Sequence, residues 1–382
     1  MGRIPFCDGE SKYSSEIWYG GGSPLASKRA SNRRRHQITI GDLARHLDLS
    51  KATVSLALNN SPLVADATRQ RVREAAERFG YRPNYFGARL SRGKSDMIGL
   101  YILGGTEKQC NWTLASSWMF YHPILKSVSD ELSKHGYRFN LEVVSAEQVV
   151  TQGVISSVIQ EGSLDGMLLV VQDEIDYSFL DVVAEKQFPF VVLNARVAEN
   201  ISSVKIDNEI GARQAVSHLV ELGHRRIAHL SGPDKDLNAI ERREAFRKAV
   251  LGAGLEWSPS LLYYGDWQRE SGWRAVRQFL ELDHPPTAIF CANDHMAIGA
   301  MQALREAGLE VPKDVSIIGF DDTELCQVVM PKLTTIRQPV DLMGQLGAQV
   351  VLRQIDEESF EVSHTSLEPE LILRESTAYV TN

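Results

Sequence analysis

From residue 97 onward the chain alternates between two periods, and this alternation constrains its fold more than any other feature. Strand-length apolar runs occur at 97–103, 139–144, 167–171, 190–193, 227–230, 261–264, 288–290 and 316–320. Between them, at 122–134, 211–222, 240–251, 272–280 and 296–307, apolar residues recur with helical spacing. Strands alternating with helices imply parallel sheets covered by helices on both faces. Eight or more strands fit two doubly wound lobes better than one. In such sheets ligands bind beyond the carboxyl ends of the strands.

A chain of 382 residues suggests two or three domains. Its 43% hydrophobic and 24% charged residues argue against a disordered chain, a collagen-like fibre or a disulfide-stapled miniprotein. No apolar run approaches the ~18 residues of a membrane helix. Cys7, Cys110, Cys291 and Cys326 are scattered with no CxxC pair, so neither a zinc site nor a redox motif is expected. A sparse cysteine set and the lack of an apolar signal core near residue 1 point to the cytoplasm.

Charge is unevenly distributed. Residues 31–95 hold 13 Lys/Arg against 5 Asp/Glu, a net +8, whereas residues 96–382 hold 24 against 41, a net −17. A small basic block ahead of a large acidic body suggests that the block meets a polyanion; a solvated basic face is the plainer reading. Residues 1–37 are expected to be a disordered N-terminal extension. Its first 30 residues include Gly20, Gly21, Gly22 and Ser23, and are consistent with sequence upstream of a natural start. Arg33, Arg34 and Arg35 suit either loose phosphate contact or simple solubility.

Within the basic block three short helices are legible. Thr39 and Asp42 have capping-box spacing, and Leu43, Ala44 and Leu47 share a face. Ser50 can cap a second helix that turns Val54 and Leu58 inward. Asp66 can cap a third helix carrying Val72, Ala75, Ala76 and Phe79, which Gly80 ends. Two helices joined by a tight turn and closed by a third form a helix-turn-helix pattern. Lys51, Ala52, Ser55 and Leu56 face outward at the start of the second helix, placed for a DNA major groove.

In the acidic body, polar residues follow the strand-like runs: Asp207-Asn208, Asp266-Trp267 and Asn293-Asp294, with Arg242 just inside a helix. Carboxylates, amides, a guanidinium and an indole converging on one rim suit a sugar, because planar polar groups bind hydroxyl pairs and an aromatic face packs on a pyranose. Each has a plainer role. Asp294 and Asp266 can cap helices, Trp267 can be core, and Arg242 can pair with Glu241 or Glu244.

The segment ITIGDLARHLDLSKATVSLALNNSPLVADATRQRVREAAERFGYRPN resembles the DNA-binding domain of the lactose/galactose-repressor (LacI/GalR) family, and the similarity extends over about 38–380. SKATVSLALN, the helix start from Asp66 to Arg69 and the exit Tyr81-Arg82-Pro83-Asn84 carry it. The resemblance implies a helix-turn-helix head at 38–83, a hinge at 84–95 and a two-lobe, periplasmic-binding-protein-like effector and dimerisation domain at 96–382. It places lobe 1 at 96–206 and 312–339 and lobe 2 at 207–311 and 340–382, with three crossings.

DNA contacts are implied for Ser50, Lys51, Ala52, Thr53, Ser55, Leu56, Asn59 and Arg69, and a minor-groove wedge for Leu90. Effector contacts are implied for Asp207, Arg242, Trp267, Asn293 and Asp294. Phe120 and Tyr121, in a long aromatic loop with Trp112 and Trp118, are candidates for the pocket mouth or for cover of the lobe's own core.

Two positions depart from the family pattern. Leu56 replaces a polar base reader, and Gly87 lies in the hinge, where it costs about 1 kcal/mol of helix stability relative to Ala. The function implied is a sequence-specific transcriptional regulator, expected to repress, whose affinity for a palindromic operator is controlled by a small ligand, most plausibly a carbohydrate. A homodimer is expected. The ending LILRESTAYVTN carries no leucine heptads for a tetramer-forming helix. The alternative is a solute-binding protein of the same lobe type, which predicts an export signal and no basic head. An enzyme would show GxxxxGKS, HExxH, GxSxG or a similar constellation, and none occurs, so no catalytic role, cofactor or metal is expected.

Overall fold

The structure is a computed structural model; it describes residues 38–58, 60–81, 94–104, 118–145, 147–149, 153–171, 178–357 and 360–380. The chain divides into a head, ending at Asn84, and a body that begins at Tyr85. The N-terminal extension, Asn59, most of the predicted hinge (including Leu90) and the loop bearing Trp112 fall outside the described residues.

The head contains α1 (Ile40–Leu47), α2 (Lys51–Leu58) and α3 (Asp66–Phe79). The Thr39–Asp42 capping box forms in both directions, so two of the free N–H groups at the start of α1 are satisfied locally. Ser50 Oγ accepts from Thr53 N at 3.0 Å at the start of α2. Gly80 takes the left-handed conformation, φ 63°, and closes α3. One expectation is corrected here. Ala65, not Asp66, precedes α3, and the Asp66 carboxylate instead accepts from Arg69 Nη1 at 2.6 Å. Leu43, Ala44, Val54, Ala57, Val72, Ala75 and Ala76 form the small core.

The body holds two six-stranded sheets. Its first half runs β1 (Met97–Leu103), α4 (Trp118–Lys134), β2 (Arg138–Val144), α5 (Val154–Glu161), β3 (Gly166–Val171), α6 (Ser178–Glu185), β4 (Phe190–Leu193) and β5 (Ser203–Ile206). There follow α7 (Asn208–Glu221), β6 (Ile227–Ser231), α8 (Leu237–Gly252), β7 (Leu262–Tyr264), α9 (Arg269–Leu280), β8 (Ala288–Cys291), α10 (Asp294–Glu306) and β9 (Ser316–Asp321). The chain ends with α11 (Leu325–Val328), β10 (Thr334–Arg337), α12 (Val340–Asp356), β11 (His364–Leu367) and β12 (Glu370–Ile372). The first sheet has the order β11-β5-β4-β3-β1-β2 and the second β12-β10-β9-β8-β6-β7. Every pairing is parallel except that of β12 with β10. Strands buried on both faces, such as β3 and β4, are apolar throughout, as parallel sheets require.

The lobe boundaries differ from those expected. β9 and β10 join the second sheet, so residues 312–339 belong to lobe 2. α12 packs on α4 and under β3, β4 and β5, and β11 pairs with β5, so residues 340–367 belong to lobe 1. Gln354 at the end of α12 fixes this assignment by accepting from Phe190 N at 2.8 Å. Crossings therefore fall at 206–208, 337–340 and 367–370. An apolar run shows that a strand is buried but not which of two similar sheets buries it. Each lobe has a core on both faces of its sheet.

Candidate functional site

In the head, α2 turns one side outward. Val54 and Ala57 are buried, which turns Lys51, Ala52 and Leu56 to solvent and leaves Thr53 and Ser55 half-buried. Ser50 is exposed and shares its hydroxyl with Thr53 Oγ1 at 2.8 Å. These residues occupy one continuous face at the N-terminal end of the helix, where free N–H groups favour a phosphate. Leu56, 38% exposed, offers a thymine methyl an apolar contact but no hydrogen bond. Arg69 departs from its expected role. It braces the loop ahead of α3, with Nη2 donating to the carbonyls of Ser61 (3.1 Å) and Val64 (2.9 Å), so its guanidinium is committed to the protein.

In the body a small cavity of about 60 Å³ lies among the carboxyl ends of the strands. Lobe 1 supplies Phe120 and Tyr121 from α4 and Asn194 from the end of β4. Lobe 2 supplies Asp236, Asn238 and Arg242 from the start of α8, Trp267 after β7, Asn293 and His295 after β8, and Asp321 and Thr323 after β9.

Arg242 is the hub. It is 3% exposed; its Nε donates to Asn208 Oδ1 at 2.8 Å, and its Nη1 to the Ala292 carbonyl at 2.6 Å. Its guanidinium lies over the Phe320 ring, 3.8 Å from the centroid. A fixed fork on an aromatic face explains why the helix turns this charge inward rather than toward Glu244.

Trp267 lines the cavity in a left-handed backbone conformation, φ 68°, unusual for a bulky residue. Three contacts hold it. Nε1 donates to Asp236 Oδ2 at 3.2 Å, Asn293 Nδ2 donates to its carbonyl at 3.0 Å, and Gly232 leaves room for the indole. A Cβ on Gly232 would sit 2.3 Å from the ring.

Two carboxyls need separating. Asp294 is fully buried behind the cavity, accepting from Thr323 N at 2.8 Å and Thr335 Oγ1 at 2.6 Å. The cap of α10 is Asn293, which accepts from Met296 N at 2.9 Å. Asp321 is the carboxyl that lines the space, with Oδ1 accepting from Gln338 Nε2 at 2.6 Å. Burial pushes Asp321 up to about 8; the neighbouring Asp294 adds to this and Arg242 opposes it. Burial also pushes Asp294 up to about 6, against the hydrogen bonds from Thr335 and Thr323. Burial, and then the Arg269 charge, lower the pKa of His295.

Of the expected effector residues, Arg242, Trp267, Asn293, Phe120 and Tyr121 meet at the cavity. Tyr121 also belongs to the lobe 1 core, and Phe120 packs against that core. Asp294 does not line the space, and neither does Asp207. Asp207 caps α7, accepting from Ile210 N at 3.0 Å. Sequence reasoning missed Asn194, Asp236, Asn238, His295, Asp321 and Thr323. Asn194 and Asp321 stand at the carboxyl ends of β4 and β9, where the strand rule directs attention.

Residues 39–84 match the family described as bacterial regulatory proteins, lacI family, and residues 216–377 match a periplasmic binding protein-like domain. Over 345 residues the chain is 33% identical to the probable HTH-type transcriptional repressor ExuR of Bacillus subtilis, covering 90% of this chain and 99% of that one. The chain belongs to the LacI family. It is 32% identical over 346 residues to the HTH-type transcriptional regulator CelR of Thermobifida fusca, covering 90% of this chain and 99% of that one. Among solved structures, a Lac repressor dimer bound to operator and the anti-inducer ONPF matches with a TM-score of 0.79 at 28% identity, covering 89% of this chain and 99% of that chain. A CelR–cellobiose complex matches with a TM-score of 0.67 at 32% identity, over 89% of this chain and 99% of that chain. As a member of the LacI family, the chain is a DNA-binding transcriptional regulator under ligand control. No helix among the described residues is long and apolar enough to cross a membrane.

Proposed function

We propose that this regulator is a repressor whose affinity for a palindromic operator is set by a carbohydrate held between the two lobes, and that it works as a homodimer in the cytoplasm. It performs no catalysis. The observation that carries the reading is the cavity, whose polar rim and aromatic walls come from both lobes at once. Asp236, Asn238, Asn293 and Asp321 offer hydrogen bonds to hydroxyl groups, and Trp267 offers an apolar face to a sugar ring. The CelR–cellobiose complex shows a sugar on a relative of the same architecture.

The mechanism is linkage. A ligand that touches Asn194 in lobe 1 and Asp236 in lobe 2 favours one angle between lobes joined by three short crossings. That angle sets the spacing of the two heads in the dimer, and hence their fit to DNA half-sites about one helical turn apart. A coupling of ~1–3 kcal/mol changes operator affinity by roughly 5–150-fold.

A thermal-shift screen of the whole chain against mono- and disaccharides tests the reading. Any hit is then titrated into the protein on an operator selected from random DNA. A sugar that raises the melting temperature and shifts operator affinity is expected; a chain that ignores every sugar contradicts the carbohydrate assignment.

A further inference from the structure

The outward side of α2 is chemically unlike the basic head that carries it. The helix reads KATVSLAL, with no acid, no arginine and no carboxamide. Ala52 and Leu56, one turn apart, are both exposed, and Leu56 leaves 38% of its surface in water. The small core does not need them, because Val54 and Ala57 enter it from the opposite side of the helix. An aliphatic pair on an exposed face without carboxylates suits a partner that is anionic overall and apolar at one point.

The polar groups around this pair are turned elsewhere. Lys51 lies back over the start of α1, its Nζ 3.5 Å from where a Cβ on Gly41 would stand. Its ammonium is thus beside the N-termini of two helices, a place for a phosphate rather than a base edge. Ser50 and Thr53 share a hydrogen bond of 2.8 Å between their hydroxyls, and Thr53 N donates to Ser50 Oγ at 3.0 Å. Asn60, beyond the helix, accepts from Arg73 on α3. Ser55, half-buried, can hydrogen-bond to any base pair and so selects little.

In the major groove the C5 methyl of thymine is the feature that an aliphatic side chain reads. We infer that the operator half-site of this regulator presents thymine methyls to Leu56 and Ala52, and that these methyls, rather than bidentate hydrogen bonds, select the sequence there. The inference rests on the operator reading and on α2 being the element laid in the groove. A guanine opposite Leu56 would bury its O6 and N7 acceptors against a side chain with no donor. One methyl packed on Leu56 is worth about fourfold in affinity, and roughly fifteenfold when both halves of a palindrome carry it.

The test uses the full chain and an operator selected from random DNA. Each thymine of the half-site is replaced in turn, in both halves, by uracil, which lacks the methyl and keeps the base pairing. At one thymine at least, uracil should weaken binding by roughly fifteenfold, and Leu56→Ala should remove most of that loss. Leu56 is exposed, so the variant should keep its fold, and the slope of log affinity against log salt should not change. At the same position 5-methylcytosine should bind more tightly than cytosine in the native chain, and equally in the variant. Uracil tolerated to within about twofold at every thymine overturns the inference while leaving operator binding intact. A uracil loss that Leu56→Ala leaves undiminished overturns it too. If Leu56→Ala changes neither affinity nor the sequence selected, α2 does not face the bases. A chain that selects no DNA sequence brings down the operator reading and this inference together.

Discussion

Replacing Arg242 by Met tests how the charges around the cavity are balanced. Met keeps much of the apolar stem but deletes the guanidinium. Asn208 Oδ1 and the Ala292 carbonyl then lose their donors, at roughly 1–3 kcal/mol for buried groups left unpaired. Asp236, Asp294 and Asp321 lose their nearby counter-charge, and stripping one partner from a buried ionic cluster typically costs about 3–5 kcal/mol.

The two contributions separate by pH. In the native chain Asp321 is pushed up to about 8 and Asp294 to about 6, both above the ordinary 3.8. The folded protein therefore holds protons that the unfolded chain releases, so these groups weaken stability as pH rises from about 4 through about 8. Arg242 opposes the rise of Asp321, so its loss must steepen that decline. At pH 8 the Arg242→Met variant should lose about 3–5 kcal/mol, seen as a fall in Tm of roughly 6–15 °C for a body of this size. At pH 5.5, where the carboxyls carry more protons, the loss should shrink toward the part due to unpaired acceptors. Differential scanning calorimetry at both pH values decides it. An equal loss at each pH, or a loss below about 1 kcal/mol at pH 8, refutes the electrostatic account.

Three further outcomes follow from particular contacts. Gly319→Ala places a Cβ 2.3 Å from Asp294 Oδ1 and should destabilise the body by roughly 1–3 kcal/mol, measurable by chemical denaturation. Arg69→Ala should lower the stability of the head while leaving the salt dependence of DNA binding nearly unchanged, because the guanidinium holds loop carbonyls rather than phosphates. A loss of about one unit in the slope of log affinity against log salt would instead make Arg69 a phosphate contact. Thr39→Ala removes the hydroxyl half of the capping box, leaving the backbone N–H of residue 39 on Asp42, and should cost the head about 1 kcal/mol by thermal melting.

The head was legible because its signals are local. The Thr39–Asp42 box, Ser50 and Gly80 act within a few residues of where they stand. Asp66 misled because an acidic residue in the first helical turn and a true cap look alike in sequence. In the body, apolar runs located most strands, but β11 (HTSL) and β12 (ELI) are short and polar enough to pass unseen. The lobe boundaries were misplaced because sheet membership depends on long-range pairing, such as that of β10 with β9, which no periodicity records. The same limit applies to the site. Arg242, inside α8, and Trp267, after β7, were polar and aromatic candidates whose effector role came from the family resemblance. Asp294 was named and Asp321 was not, although both stand at strand ends; only packing shows that Asp294 turns toward Thr335 while Asp321 faces the cavity. Asn194 carried the signal of its position after β4, but an asparagine there reads equally as a turn residue.

Linkage requires that DNA and a cavity ligand influence each other through one chain. The decisive measurement is a thermodynamic cycle. Operator affinity is measured with and without a saturating sugar, and sugar affinity with and without saturating operator. The same factor is expected on both sides, roughly 5–150-fold. Operator affinity that stays constant while the sugar demonstrably fills the cavity would contradict it.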